Sequence, residues 1–430
     1  MAKNATGKTS VWQSLRNMWK VKDIRSKLIY TFLMLVLFRL VGVIPAPGIN
    51  VAALNDSFAN LDALALMNVM TGNNFSQMTI MAMGITPYIN SSIIMQLLTI
   101  AIPALERMQK SGPDGQKKIA QITRYVTVGL AALQAIGLTA SLSVVKPGWF
   151  NYVLVGVSMA GGTALAMWIG ERITEKGIGN GISLLIFAGI ISGLFTGIYQ
   201  LIANAKTLGV WLTVLGILLL GLVMIVLVTF VDMGVRRIQV QYAKRVAGRK
   251  MYGGMNSVLP LKVVSVGVLP LIFAYSFMAF PSTIIQLAGG SNTGFGRWWA
   301  NNMHQLSPLY MIITALLIVA FTYFYSSISF QSDEMAKNIQ QQGGVVPHVR
   351  PGKPTADFLK RTNSRLTLFA ALFLAVLATV PNIFTALLQK NMSAPIPFAA
   401  SSLLIAVSVV LETKRQLDDQ LVSRNYDTLF

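Results

Sequence analysis

The chain alternates long apolar runs with shorter polar gaps. Ten runs are apolar enough to be membrane-spanning helices, and most reach the roughly 20 residues that a hydrocarbon core of about 30 Å requires. The predicted spans are residues 28–44, 79–102, 122–144, 152–170, 181–202, 210–231, 261–280, 309–330, 366–388 and 396–411. The pattern therefore predicts an all-α integral membrane protein with ten transmembrane helices.

The basic residues are distributed unevenly among the polar gaps between the predicted spans. With the gaps numbered from the N-terminus, 30 of the 35 Lys and Arg residues lie in or beside the N-terminal segment, the even-numbered gaps and the C-terminal segment. The opposite gaps hold only Lys146, Lys206, Arg297 and Lys390, and Arg39 lies inside a span. By the positive-inside rule both termini are cytoplasmic. An error of one helix would mix the two counts, so the split also supports ten spans.

Composition agrees with this topology. The 430 residues are 54% hydrophobic and only 12% charged, about half the charged share of a soluble domain. The net charge of +20 arises from the basic gaps, so it does not by itself indicate nucleic-acid binding. The absence of cysteine excludes disulfides, thiol catalysis and cysteine metal sites. Two histidines, His304 and His348, do not suggest a zinc or haem site, and no cofactor is expected.

Ionisable groups are nearly absent from the middle of the predicted spans. Arg39 lies toward the outer end of the first span, whereas Arg124, Glu171, Asp232 and Lys262 lie near predicted cytoplasmic ends. Ion-coupled secondary transporters need such groups near the midplane, so this alternative is disfavoured. No Ser-His-Asp set is convincing with two histidines, which argues against an enzyme.

The second span is unusually polar for a helix surrounded by lipid. Ile85, Ile89, Ser92 and Gln96 are spaced so that they share one helical face. Such a face suits a water-lined cavity with an apolar constriction. Polar contacts between packed helices explain the same pattern equally well, and both interpretations remain open.

Two further segments have unusual patterns. The apolar stretch 61–70, in the gap before the second span, is too short to cross a bilayer. It predicts either a re-entrant helix buried in protein or a surface helix. The three glycines of the segment 177–181 predict flexible, closely packed backbone at the start of a helix.

Two gaps on the predicted cytoplasmic side are long and basic. In the first, Ile238, Val240 and Tyr242 alternate with glutamines, which predicts a hairpin. The second, residues 331–362, contains enough proline and glycine to predict a shaped loop. Such basic loops suit an acidic protein or ribosomal RNA phosphates, although the charge also serves to set topology.

The N-terminal segment precedes the first span. Its apolar residues recur at helical spacing beside Arg16 and Lys20, which predicts a helix in the membrane interface, with a mobile basic tail as the alternative. The segment leads into a retained span, so no signal peptide is expected. Ten spans divide as five plus five, which would place two related halves in opposite orientations.

Several long motifs carry a resemblance to a known family. They are residues 44–48 (IPAPG), 84–89 (GITPYI), 171–181 (ERITEKGIGNG), 242–245 (YAKR) and 349–352 (VRPG). With these motifs the chain resembles the SecY family, the channel subunits of bacterial protein translocons, over nearly its whole length. The sequence departs from the family pattern at His348, where glycine is expected, and at residues 340–342, three glutamines where lysine is common.

The resemblance implies a clamshell of two inverted five-helix halves, residues 28–202 and 203–411, flanked by cytoplasmic segments 1–27 and 412–430. Cytoplasmic loops 232–257 and 331–365 belong to the second half. An hourglass pore would narrow at a ring of six isoleucines, Ile85, Ile89, Ile182, Ile186, Ile272 and Ile405. A plug at about 61–77 would include Leu61, Leu64, Leu66, Met67 and Met70. A lateral gate between the second and seventh helices would involve Gln96 and Asn180.

The resemblance also implies function and partners. The chain would pass unfolded preproteins across the bacterial plasma membrane and release transmembrane segments into lipid, without enzymatic activity of its own. SecE and SecG would be partner subunits, and energy would come from the SecA ATPase, the ribosome or the proton-motive force. Preprotein signal sequences and membrane lipid would be its other contacts. The loop residues expected to contact SecA or the ribosome are Arg236, Arg237, Tyr242, Lys244, Arg245 and Arg350.

Overall fold

The computed structural model is mostly helical. It describes residues 21–49, 74, 77–141, 145, 148–203, 208–242, 245–247, 250–252, 256–267, 269–287, 293–304, 306–388 and 400–427. The chain divides into two compact units. One contains the described residues up to Thr196 together with those from Val409 onward, and the other is Gly197–Ser408.

The first unit is built from helices that are mostly long. These are α1 (Lys22–Val41), α2 (Thr86–Ala101), α3 (Pro103–Lys110), α4 (Pro113–Ser141), α5 (Trp149–Lys176) and α6 (Gly181–Ala203), the last of which continues beyond the unit boundary. Helix α4 packs along α5, and the core between them contains Ala135, Val155 and Met159. Met78 and Ala82, from the segment that leads into α2, complete this core. The packing fixes the segment from which α2 begins.

The second unit combines helices with a small sheet. Its helices are α7 (Leu208–Asp232), α8 (Leu269–Leu287), α9 (Gly294–Asn302), α10 (Pro308–Ser329), α11 (Ser332–Gln341) and α12 (Lys353–Leu388). Its strands are β1 (Val235–Tyr242), β2 (Arg245–Ala247), β3 (Lys250–Tyr252), β4 (Asn256–Lys262) and β5 (Gly344–Val345). Strand β1 is central in the antiparallel order β4-β1-β5, while β2 and β3 form a separate ribbon. The final helix, α13 (Ala400–Asp427), crosses the unit boundary.

Every predicted span overlaps one of these helices, but the helices differ in length and in apolar content. Six described helices are long and apolar enough to cross a membrane: α4, α5, α6, α7, α10 and α12. Helices α2 and α3 make a seventh if they form one span bent by 101°. The protein is therefore a multi-pass, mostly helical membrane protein, and the count of ten spans and the cytoplasmic termini stay predictions.

Two predicted spans begin at residues that lie outside helices. The second span was placed from residue 79, but α2 begins at Thr86. Residues 79–85 form turns, Gly84 has a φ of +53°, and Pro87 occupies the first turn of α2, where a proline needs no backbone donor. The seventh span was placed from residue 261, but residues up to Lys262 belong to β4, because their backbone pairs with β1. An apolar run alone does not distinguish a strand from a helix start.

Candidate functional site

The segment before α2 places Ile85 and Ile89 at the start of that helix. The Ile80 amide donates to the Ile44 carbonyl at 2.9 Å, and the Ala46 amide donates to the Met78 carbonyl at 3.0 Å. These bonds satisfy backbone groups that no helix satisfies. Ile85 occupies the N-cap position of α2, and both Ile85 and Ile89 are buried.

A glycine of α5 allows this segment to approach closely. A methyl group at Gly162 would lie 2.1 Å from the carbonyl oxygen of Ile80, so only glycine fits without movement of the backbone. The start of α2 is thus packed directly against the backbone of α5.

The rest of α2 is as polar as the sequence predicts. Asn90, Ser91 and Thr99 are buried, and the Ser91 hydroxyl donates to the Pro87 carbonyl at 2.8 Å. Gln96 is half-buried. Buried polar residues on a membrane helix indicate a surface that faces protein or water rather than lipid.

The glycine segment 177–181 forms the turn between α5 and α6. Gly179 has a φ of +81°, a conformation that side chains disfavour. A methyl group at Gly181 would lie 1.9 Å from the Gly170 carbonyl oxygen. The close packing predicted from the sequence is therefore confirmed.

Asn180 caps the N-terminus of α6. Its side-chain oxygen accepts hydrogen bonds from the Ile182 amide at 3.1 Å and the Ser183 amide at 3.3 Å. This cap fixes the first turn of α6, which carries Ile182, and Ile186 follows one turn later. Ile186 is buried and Ile182 is half-buried.

The other two ring residues lie in the second unit. Ile272 is half-buried near the start of α8, and Ile405 is buried in α13. Helix α8 is fixed on α10 by edge-to-face aromatic contacts, with the Phe273 ring centroid 6.0 Å from that of Phe321 and 5.4 Å from that of Tyr325. Rigid packing of this kind determines where the neighbouring Ile272 lies. The convergence of the six isoleucines stays a prediction.

The basic surface of the second unit rests on a compact support. Ile238, Val240 and Leu261 from the sheet pack with Val346 and Leu359 in one apolar cluster. The hairpin predicted from the alternation is confirmed, because β1 and β4 pair antiparallel from Val235 with Lys262 to Gln241 with Asn256. The shaped second loop contains α11 and β5.

The predicted partner-binding residues lie around this support. Arg236 and Arg237 are exposed on β1, and Arg350 is exposed before α12. Tyr242 is half-buried and its hydroxyl donates to the Gln342 side-chain oxygen at 3.4 Å. The backbone of Arg245 begins β2, whereas Lys244 lies outside the described residues. The plug residues Leu61, Leu64, Leu66, Met67 and Met70 also lie outside them.

His348 occupies a backbone conformation that suits glycine. Its φ is +64°, in a turn closed by a hydrogen bond from the Val349 amide to the Val346 carbonyl at 3.1 Å. A type II turn requires a positive φ at its third residue, and a histidine there is strained. The departure from the family pattern noted in the sequence is therefore also a backbone feature.

Sequence reasoning missed two contacts of α1. The Arg39 guanidinium donates to the carbonyl oxygens of Ala188 and Gly189 in α6, and Thr31 accepts a hydrogen bond from the Ile178 amide at 3.1 Å. A charged residue within an apolar run was the available signal. Its partners are 149 and 150 positions away, and no spacing rule finds them.

An interrupted span, buried polar residues on a membrane helix and an exposed basic sheet define a multi-pass membrane protein that is more than a simple anchor. Comparison with known proteins identifies the family. The sequence profile of the SecY family matches residues 79–414. The chain belongs to the SecY family.

Relatives from named bacteria are similar in sequence to this chain over nearly its whole length. The protein translocase subunit SecY of Streptomyces scabiei is 39% identical over 95% of this chain and 97% of its own length. The SecY subunit of Corynebacterium glutamicum is 40% identical over 96% and 98%. That of Halalkalibacterium halodurans is 39% identical over 97% and 99%. The function of this family, protein translocation through a membrane channel, is the function of the chain.

Solved structures share the fold. A structure described as that of a protein-conducting channel has a TM-score of 0.69 at 19% identity, over 95% of this chain and 97% of its own. Sec61 in a canine ribosome-channel complex from the endoplasmic reticulum has a TM-score of 0.66 at 18% identity, again over 95% and 97%.

Proposed function

We propose that the chain forms a channel that passes unfolded preproteins across the bacterial plasma membrane and releases apolar segments sideways into lipid. Its termini are cytoplasmic, and two inverted halves of five spans surround the pore. The pore narrows at Ile85, Ile89, Ile182, Ile186, Ile272 and Ile405. The segment at about 61–77 is the plug.

The interrupted second span carries this proposal. Backbone without helical hydrogen bonds is tolerated at membrane depth only where it is buried in protein or lines a water-filled cavity. The turns at 79–85 are such backbone, and they end at Ile85, where the buried polar face of α2 begins. This juxtaposition suits an apolar constriction below a hydrated cavity.

Isoleucine suits the constriction for a chemical reason. A channel that accepts many sequences gains nothing from side chains that bind one of them. A narrow ring of branched aliphatic groups offers no hydrogen bond to the passing chain and resists wetting when it is empty. The ring therefore closes against ions and yields to any polypeptide.

The lateral gate between α2 and α8 involves Gln96 and Asn180. Polar groups in a gate keep the closed contact only marginally favourable, so that an apolar signal segment shifts the equilibrium toward the open state. Gln96→Leu should therefore impair the export of proteins with weak signal sequences. Unchanged export of those proteins would contradict this role for Gln96.

The basic sheet surface receives the cytoplasmic partners. Arg236, Arg237 and Arg350 are exposed in this region. Tyr242, Lys244 and Arg245, in the same loops, complete the proposed contact set. SecA or the ribosome docks there and supplies energy, because the chain itself hydrolyses nothing. SecE and SecG complete the complex. The strained turn at His348 is part of the same surface.

Crosslinking tests the channel directly. The chain has no cysteine, so every crosslink to this chain comes from the single cysteine introduced at Ile85 or Ile272. A stalled preprotein should crosslink to both, and a cysteine at Leu219 on the exposed face of α7 should not. An ion-coupled transporter or a scaffold would give no crosslink at either isoleucine.

A further inference from the structure

Arg39 makes an unusual contact for a charged residue in an apolar helix. It lies in the last turn of α1 and is half-buried. Its Nη2 atom donates to the carbonyl oxygen of Ala188 and lies 3.4 Å from that of Gly189. Both carbonyls belong to the second and third turns of α6, where helical bonds already use one lone pair of each oxygen. The guanidinium uses the second.

The sequence of α6 permits this approach at that level. Ala188 and Gly189 have the two smallest side chains, so they leave the backbone carbonyls accessible to a neighbouring helix. One nitrogen, Nη2, donates toward both oxygens. The planar guanidinium fixes the direction of its N–H donors more closely than a lysine ammonium would. Burial strengthens these bonds, because little water competes for the carbonyls.

A second contact fixes α1 to the beginning of the same segment. The Thr31 hydroxyl donates to the Lys27 carbonyl at 2.9 Å and accepts from the Ile178 amide at 3.1 Å. A methyl group at Gly177 would lie 2.5 Å from this hydroxyl oxygen, so the turn lies directly against α1. Thr31 and Arg39 are eight positions apart, or about 12 Å along a helix.

The two contacts enclose the part of α6 that matters for the pore. Ile178 lies in the turn before α6 and Ala188 lies ten positions further on, so α1 contacts this stretch at two separate points. Ile182 and Ile186 both lie between the two contacts. Their position therefore depends on how firmly α1 holds each end.

We infer that Arg39 is a positioning residue for the pore ring: its bonds to the Ala188 and Gly189 carbonyls hold the segment of α6 that presents Ile182 and Ile186, and so maintain the resting seal. The inference rests on the proposed pore. A dry apolar constriction admits water and ions once it widens slightly. Loss of the Arg39 contact should therefore open a leak before it unfolds the protein.

The test measures ion leak through the resting channel. Full-length chain, purified with the subunits that accompany it, is reconstituted into vesicles as Arg39→Leu, Arg39→Gln and Arg39→Lys. Arg25→Gln is the matched control, because Arg25 is an exposed cation of the same helix. Ile186→Ser tests the pore ring independently. Thermal unfolding midpoints are recorded for every variant.

Arg39→Leu should raise the leak about tenfold, the factor that corresponds to losing a hydrogen bond to a charged group. Arg39→Lys and Arg39→Gln should leak less than Arg39→Leu but more than the unchanged chain, and Arg25→Gln should match the unchanged chain. If Arg39→Leu fails to fold, the lysine and glutamine variants decide.

Three results would overturn the inference, and the Ile186→Ser variant separates a failure of the Arg39 role from a failure of the pore ring. A normal leak in the folded Arg39 variants beside a raised leak in Ile186→Ser overturns the role of Arg39 and leaves the pore intact. A normal leak in Ile186→Ser as well overturns the pore ring, and the positioning role with it. A lower unfolding midpoint without leak in any Arg39 variant means that Arg39 only stabilises the fold, which also overturns the inference.

Discussion

Helices α5 and α7 are similar in length and both are apolar enough to cross a membrane, yet they occupy different surroundings. They contain 28 and 25 residues. Of the most apolar stretch in each, 56% is buried inside the protein in α5 but only 24% in α7. A methyl group at Gly156 of α5 would lie 2.6 Å from Ile136, and at Gly216 of α7 it would meet nothing within 4 Å.

Five of the exposed residues of α7 form a continuous stripe at helical spacing: Leu215, Leu219, Leu222, Val226 and Phe230. The buried face of α5 instead combines larger apolar side chains and Thr163 with a series of small residues: Gly156, Ala160, Gly162, Ala166 and Gly170. Membrane helices gain little hydrophobic free energy by packing together, so close approach through small residues drives their association. Large aliphatic stripes thus mark lipid contact, and glycines with crowded neighbours mark protein contact.

The largest expected effect is on membrane insertion of α7, when a charged residue is placed on its exposed stripe. Leu219 lies midway along α7 and is 61% exposed. Leu219→Asp should cost about 3 kcal/mol of membrane insertion, because a carboxylate is poorly solvated at the centre of a bilayer. Leu219→Phe should insert normally. Insertion of α7 in a reporter protein measures both, and equal insertion of the two variants would mean that the stripe does not face lipid.

The next effect contrasts a glycine with crowded neighbours and a glycine with open space around it. Gly162→Ala should lower the free energy of unfolding by about 2 kcal/mol, because the added methyl overlaps the Ile80 carbonyl. Gly216→Ala should leave it unchanged or raise it by roughly 0.5 kcal/mol, since alanine favours a helix. Thermal unfolding in detergent compares them, and equal midpoints would refute the distinction drawn from packing.

A smaller effect separates buried from exposed hydroxyls. In the second unit the Asn363 amide donates to the Ser326 hydroxyl at 2.9 Å, and that hydroxyl lies 2.7 Å from the Thr367 hydroxyl. Thr367→Val should cost about 1 kcal/mol, because it removes a partner inside a buried network. Thr229 in α7 donates to the Ile225 carbonyl at 2.7 Å. Thr229→Val should change little, and a loss as large as that of Thr367→Val would contradict this account.

The smallest effect concerns an ion pair at the end of α5. The Arg124 Nε atom lies 2.8 Å from Glu171, and their side chains are 44% and 25% exposed. Glu171→Gln should destabilise the protein by only about 0.5 kcal/mol at low salt, as partly exposed pairs do. The difference should disappear near 1 M salt, where the screening length is about 3 Å. A salt-independent difference would show that the pair is shielded from solvent.

Local patterns predicted those parts of the molecule that local interactions determine. The alternation of Ile238, Val240 and Tyr242 predicted a hairpin, and β1 buries the first two of these side chains. The glycines at 177–181 predicted a tight helix start, and the contacts of Gly181 show why. Long apolar runs likewise located a helix in every predicted span.

Distant contacts determined what the sequence could not reveal. The beginning of α2 depends on backbone pairing of residues 78–80 with residues 44–46, and the end of β4 depends on pairing with β1. Neither partner is close in sequence. The sequence places Arg39 inside the first span, toward its outer end, but nothing near it indicates that its donors reach the Ala188 carbonyl. Spacing drew attention only to Ile85 and Ile89, and the ring of six isoleucines was proposed through family resemblance.

The most direct test of the central claim is the aqueous accessibility of single cysteines at Ile186 and Ile405, each compared with Leu219. A charged, membrane-impermeant thiol reagent is applied to the active translocating complex, with and without a stalled preprotein. The account predicts that both isoleucine positions react while the channel is active and become protected when the preprotein occupies it, whereas Leu219 stays unreactive throughout. Reaction at Ile186 and Ile405 that equals the reaction at Leu219, and ignores the preprotein, would contradict it.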